Sequence, residues 1–180
     1  MREAGERLNL PNFTSIDGTA EATTLPAKSA EFITAAQAFH WFDHAKCRTE
    51  FLRILKPAGW LVIIWNDRRS DTTPFLVDYE NLMQEFGTDY KEVNHRRTDK
   101  PELIQSFYGN KPRFKSFYYV QNFDFEGLKG RVLSSSYAPE AGHPKYEAML
   151  AALKKIFDAR QENGRVAFEY DTHVYYGHLA

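Results

Sequence analysis

A single cysteine, Cys47, is present in the whole chain, and one thiol cannot close an intrachain disulfide. It falls inside an apolar helical pattern and reads as a small core residue. No run approaches the roughly 18 to 20 apolar residues that a membrane-spanning helix needs, and the first residues show no signal-peptide pattern. The expectation is a soluble, cytoplasmic protein with no membrane partner. The 10 glycines are scattered and form no glycine-rich cluster. Neither sign of charge dominates, since 23 Lys and Arg stand against 24 Asp and Glu for a formal net charge of −1. The basic residues gather into no run, so nucleic acid is not expected as a partner.

What the chain does have is apolar and aromatic bulk. Apolar residues make up 43% of it, with 14 Phe and 10 Tyr, which excludes disorder as its general state. A length of 180 residues predicts one domain over 1–180 with a sizeable core. The pattern is clearest over residues 30–67, AEFITAAQAFHWFDHAKCRTEFLRILKPAGWLVIIWND. Residues 31–36 form a short apolar run ending in small side chains. Asp43 stands where a helix N-cap should stand, because a carboxylate there accepts bonds from the free N–H groups of the first turn. Cys47, Phe51, Ile54 and Leu55 then recur at helical spacing. Lys56-Pro57-Ala58-Gly59 should stop that helix. Residues 60–65, WLVIIW, are apolar at every position, as in a parallel strand covered on both faces. Ligands of such β-α-β units sit beyond the carboxyl ends of the strands, so residues 37–42, with Asn66 and Asp67, are expected on one rim.

Around this unit the elements are simpler. Residues 1–10 read as a short helix and 12–16 as a weak strand. Pro74 opens a helix whose apolar face ends at Gly87, and a second short helix covers 101–108. Segment 68–111 therefore reads as a helical insertion that could act as a lid. Residues 113–125 and 165–179 are aromatic strands. A helix is expected over 126–135 and an amphipathic one over 145–160. The helices between the two aromatic strands allow them to pair antiparallel at a sheet edge.

Three motifs in this order resemble one family. They are Gly18-Thr19-Ala20-Glu21 with Leu25-Pro26, the strand end Ala35-Ala36-Gln37-Ala38-Phe39-His40-Trp41-Phe42-Asp43, and Leu55-Lys56-Pro57-Ala58-Gly59-Trp60-Leu61. Together they look like a class I S-adenosylmethionine-dependent methyltransferase of the small-molecule type, with its A-x-A-x-H-W-F-D segment. The resemblance implies an α/β, partial Rossmann-like fold. Its mixed sheet would combine parallel core strands with an antiparallel aromatic pair, between helices on both faces. It also implies S-adenosyl-L-methionine as cofactor and a small molecule as methyl acceptor. In that family the strands at 12, 30 and 60 would be the third, fourth and fifth, and the aromatic strands the sixth and seventh.

The first two strands of the family, with the glycine-rich turn and the acidic residue that serve the cofactor, find no counterpart. The expectation is therefore an N-terminally truncated methyltransferase-like chain, with an alternative as a catalytically impaired remnant serving as a scaffold or partner-binding module. The fourth strand would then have an open edge. Three outcomes are open: residues 12–16 pair with Ile33, another copy covers the edge as a homo-oligomer, or the fold is loose.

Carried over by resemblance, Thr19 and Ala20 would border the adenine, and Ala36 and Gln37 the methionine portion of the cofactor. Their plainer reading is a turn and a strand end. His40 would be the catalytic base, against the alternative that it bonds a nearby backbone group. Trp41 would face the sulfonium, whose cation an indole face favours. Phe42, Asn66 and Tyr79 are candidate acceptor contacts, although helical aromatics such as Tyr79 are commonly core. His40, Asp43 and His44 have a spacing that suggests a metal, but no third partner is indicated and none is expected.

Overall fold

The computed structural model describes residues 11–90 and 101–180. The predicted helix over 1–10, and residues 91–100 of the insertion expected over 68–111, lie outside the described residues. The order of elements is β1 (Ala30–Ala36), a 3-10 turn (Phe39–Trp41), α1 (His44–Ile54), β2 (Leu55–Arg68), α2 (Pro74–Phe86), α3 (Pro101–Tyr108), β3 (Arg113–Phe123), α4 (Phe125–Leu133), α5 (Tyr146–Arg160) and β4 (Val166–Gly177). The strands form one sheet in the order β1-β2-β4-β3. β1 and β2 are parallel and the other pairings antiparallel, so the expected mixed α/β sheet with an antiparallel aromatic pair is what the chain forms.

Chain contacts divide into two compact units. The first comprises Met1–Ile63, Lys100–Arg113 and Tyr175–Ala180. In it, α1 begins as its sequence requires: the Asp43 carboxylate accepts from the Lys46 N–H at 3.2 Å. Its inner face is Cys47, Glu50, Phe51 and Ile54, all buried. α3 packs against α1, with Phe107 meeting Phe39 edge to face at 4.9 Å between centroids. Tyr108 is fully buried, and its hydroxyl lies 3.0 Å from the carbonyls of both Leu61 and Tyr175.

The second unit comprises Ile64–Asp99 and Phe114–Val174. Thr73 caps α2 by accepting from the Leu76 N–H at 3.2 Å, with Pro74 just inside the helix start. α2 and α4 both pack on α5. Their apolar faces close over Val166, Phe168 and Tyr170 of β4 in one buried cluster. Arg68 is nearly enclosed between the Tyr79 ring, 4.8 Å away, and the Glu80 carboxylate, which accepts from it at 2.6 Å.

Three expectations need correction. Residues 12–16 form no strand: they are irregular and exposed, with Phe13 45% and Ile16 51% accessible. Five residues with two apolar side chains bury too little to hold a ladder on either face. The segment 56–59 does not form a separate turn. α1 ends at Ile54 and β2 starts at Leu55, so the chain enters the strand directly, with Ala58 at φ 60° taking up the bend. Gly59 is required there, because a Cβ would stand 2.8 Å from the Leu55 side chain and 3.0 Å from the Lys56 carbonyl. Residues 60–65 alternate, with Leu61, Ile63 and Trp65 buried and Trp60, Val62 and Ile64 half-buried, so only one face of β2 is fully covered there. At the sheet's two ends lie β1, with Phe32 65% exposed, and β3, where Phe114, Phe117, Tyr118 and Tyr119 are all about half exposed.

Candidate functional site

The first unit brings two of the expected segments to the N-terminal end of α1. One is the turn over residues 19–22, closed on both sides: the Thr19 N–H donates to the Ala22 carbonyl at 3.2 Å, and the Ala22 N–H donates back to the Thr19 carbonyl at 3.1 Å. Gly18 before it allows the return of the chain, since a Cβ there would sit 2.8 Å from the Ala22 carbonyl oxygen. The other segment is the end of β1, where Ala36 and Gln37 are exposed and Gln37 takes a left-handed φ of 50°. A non-glycine residue in that region is uncommon and costly, and here it turns the chain from the strand into the 3-10 turn that carries His40 and Trp41.

Sequence reasoning missed what joins the two segments. The Glu21 carboxylate accepts from the Asp43 N–H at 3.0 Å and from the Cys47 thiol at 3.4 Å. From there the loop runs alongside α1. Glu50 accepts from the Thr23 N–H at 2.9 Å and hydroxyl at 2.6 Å, and Arg53 donates to the Leu25 carbonyl at 2.8 Å. The N–H groups of Lys28 and Ser29 reach the carbonyls of Arg53 and Ile54. Residues 18–29 are thus a strap docked along the whole helix. A signal for half of it is in the sequence: Cys47, Glu50, Phe51 and Ile54 share one helical face, and an acid on an apolar stripe needs buried partners. For Glu21 no local pattern gives the role, because its partner is a main-chain N–H 22 positions away.

These contacts set the electrostatics. The Asp43 N–H bond, with further bonds from its own backbone, Thr19 and Cys47, holds the Glu21 carboxyl below its usual range. The Arg53 guanidinium, with both Thr23 donors, takes Glu50 down to about 2. Burial, then the bond to Glu21, pushes the Cys47 thiol up to about 12, so it is an inert core group. Burial lowers His40, which stays neutral at pH 7. Its Nδ1 is enclosed, and its ring lies 4.7 Å from that of Trp41, whose side chain is exposed at 69%. Phe42 is half-buried, edge-on to Phe39 and Phe51. His44 is held by its Nε2–H on the Phe39 carbonyl at 3.1 Å, and Asp43 is ion-paired to Lys46 at 2.9 Å. Among the described residues no group of three His, Cys, Asp or Glu side chains could hold a metal ion.

Thr19, Ala20, Ala36, Gln37, His40, Trp41 and Phe42 therefore share the first unit. Asn66 and Tyr79 belong to the second. There Asn66 Oδ1 accepts from the Thr172 hydroxyl at 2.9 Å, while Tyr79 is 1% exposed, packed edge to face on Phe168. Tyr79 fills a core because its helix turns that face to β4.

The donor set fits one side of an adenosyl sulfonium. Residues 20 and 36 are small, Ala36 and Gln37 are exposed, and the Trp41 face suits a cation. Two carboxylates of these segments, Glu21 and Asp43, are engaged at the start of α1.

Comparisons with known proteins bear on the domain type and the fold. Residues 1–63 match the family model of a methyltransferase domain. An uncharacterised methyltransferase-like protein of Schizosaccharomyces pombe is 27% identical over 169 residues, covering 92% of this chain and 65% of the relative. A methyltransferase of Mycobacterium bovis is 40% identical over 62 residues, covering 34% of this chain and 26% of its own. The chain thus spans less than two-thirds of these relatives. Among solved structures, a protein described as a type II methyltransferase from Anaeromyxobacter dehalogenans superposes with a TM-score of 0.64 at 17% identity, over 94% of this chain and 73% of the other. One described as a methyltransferase from an antibiotic biosynthesis pathway of Anabaena variabilis reaches 0.55 at 19%, over 92% and 74%. No helix among the described residues is long and apolar enough to cross a membrane. Residues 1–63 thus resemble a methyltransferase domain in sequence, and the described residues share the fold of these solved structures.

Proposed function

We propose that the first unit forms one wall of an S-adenosylmethionine site and that the protein takes part in methyl transfer to a small-molecule acceptor. The observation that carries this reading is the meeting of the closed turn at Thr19–Ala22 and the strained end of β1 on the N-terminus of α1, tied by Glu21. Thr19 and Ala20 would border the adenine, Ala36 and Gln37 the methionine portion, and Trp41 the sulfonium. When bound, the cofactor supplies an electrophilic methyl carbon whose bond to sulfur breaks, the electron pair remaining on sulfur.

The chain's own contribution is largely orientation, which for an in-line displacement can lower much of the barrier without a strong base. Trp41 holds a cationic centre against its ring, and Phe42 gives the acceptor an apolar surface. For a hydroxyl acceptor the proton must leave as the new bond forms. His40, whose pKa burial lowers, is the titratable ring beside Trp41 that would take that proton. A carboxylate acceptor needs positioning only. Calorimetric titration of the 180-residue protein with S-adenosylhomocysteine tests the reading: saturable heat is expected, and its absence at millimolar ligand overturns it.

A further inference from the structure

We infer that Glu21 is a positioning residue for nucleoside recognition: its carboxylate, bound at the start of α1, sets where the Thr19–Ala20 turn stands relative to the end of β1. The inference rests on the methyl-donor reading above.

The strap has two carboxylate ties and they do different things. At one end Glu50 reaches from the helix to Thr23, with Arg53 holding Leu25 next to it. That tie starts at Thr23, just after the turn, and secures the rest of the loop to the helix. At the other end Glu21 belongs to the turn itself, next to Ala20. Its Oε1 meets the main chain of Asp43, the cap of α1 and the second residue after Trp41. One oxygen atom therefore fixes the distance between the turn that carries Thr19 and Ala20 and the segment that carries His40 and Trp41. The second contact, from the Cys47 thiol one turn further along α1, stops the carboxylate from swinging along the helix. A carboxylate also suits this place electrostatically, since α1 presents its positive end and unpaired N–H groups there. Because Glu21 is spent in this way, it acts through the turn and does not itself meet a ligand.

The test compares three variants by calorimetry with S-adenosylhomocysteine, each with its melting temperature. Glu21→Gln keeps an amide oxygen for the Asp43 N–H and is expected within about threefold of the parent affinity. Glu21→Leu removes the tie and is expected to lose tenfold or more, about 1.4 kcal/mol. Glu50→Leu cuts the other end of the strap and is expected to lower the melting temperature with affinity within threefold. Equal affinity in all three overturns the inference, as does an affinity loss that simply tracks melting temperature across the two Leu variants. If Glu21→Leu fails to fold, Glu21→Asp replaces it, its arm being one methylene too short. A readout free of ligand is amide exchange over Thr19–Ala22, which should quicken more in the Leu or Asp variant at position 21 than in Glu50→Leu, and equal quickening overturns the inference. Should the parent protein bind nothing, the methyl-donor reading fails, and the exchange data alone decide the role of Glu21 in the turn.

Discussion

Gln37 gives a quantitative test of how the rim is built. Its φ of 50° lies where an L side chain crowds the following carbonyl, at a cost of about 1–2 kcal/mol that glycine does not bear. Glycine in turn loses about 0.4–1 kcal/mol through its greater freedom in the unfolded chain. Gln37 is exposed, so little packing is lost on truncation. The comparison that isolates the backbone is Gln37→Gly against Gln37→Ala, since both lack the side chain and only one has a Cβ. The Gly variant should be the more stable by about 0.5–1 kcal/mol. At about 2–4 °C per kcal/mol for a chain of this size, its melting point should be about 1–4 °C higher. Urea unfolding followed by tryptophan fluorescence and circular dichroism measures it. If Gln37→Ala equals or exceeds Gln37→Gly, the turn at the end of β1 is not left-handed in solution, and the path from β1 to His40 is wrong.

Three further outcomes are expected. Glu50 has a folded-state value near 2 against an ordinary value of 4.5, so the stability it contributes is complete above about pH 4.5 and is lost as pH falls toward 2. Glu50→Gln should flatten that part of the urea midpoint against pH, and an unchanged acid limb refutes the assignment. Tyr108→Phe should cost about 1–1.5 kcal/mol, because the carbonyls of Leu61 and Tyr175 lose their shared donor inside the core; a variant as stable as the parent contradicts that geometry. For a hydroxyl acceptor, turnover should fall as pH drops below 6.5 through the lowered His40 value, and this fall should vanish in His40→Ala together with most of the rate. Unchanged turnover in His40→Ala removes the base.

The β1-α1-β2 unit is legible because its signals are local. Asp43 caps a helix that begins at the very next residue, and Cys47, Phe51 and Ile54 mark one face of a helix wherever they occur. The aromatic strands are legible for the same reason, by composition and alternation. The features that escape depend on partners distant in sequence. Glu21 and Thr23 sit in a polar loop that looks solvated until α1 is laid beside it, and only Glu50, an acid within an apolar stripe, hints at the strap. Residues 12–16 mislead because a few β-prone residues carry no information about whether a partner strand exists. Tyr79 belongs to an aromatic helix face that packs into a core and would look identical in sequence if it lined a pocket. The left-handed Gln37 has no signature either, since neither glycine nor asparagine marks the spot.

Among the described residues β1 and β3 stand at the two ends of the sheet, and a strand at a sheet's end is a template for pairing with another chain. A strand edge that pairs with the same edge of another copy does so about a two-fold axis, and the pair is then closed. β1 meeting β3 of a neighbour would leave one of each still open, and growth would have no natural end. Glu31 of β1 is held by Lys56 at 2.8 Å, whereas Lys115 of β3 is exposed, so the two ends present different charge to a neighbour.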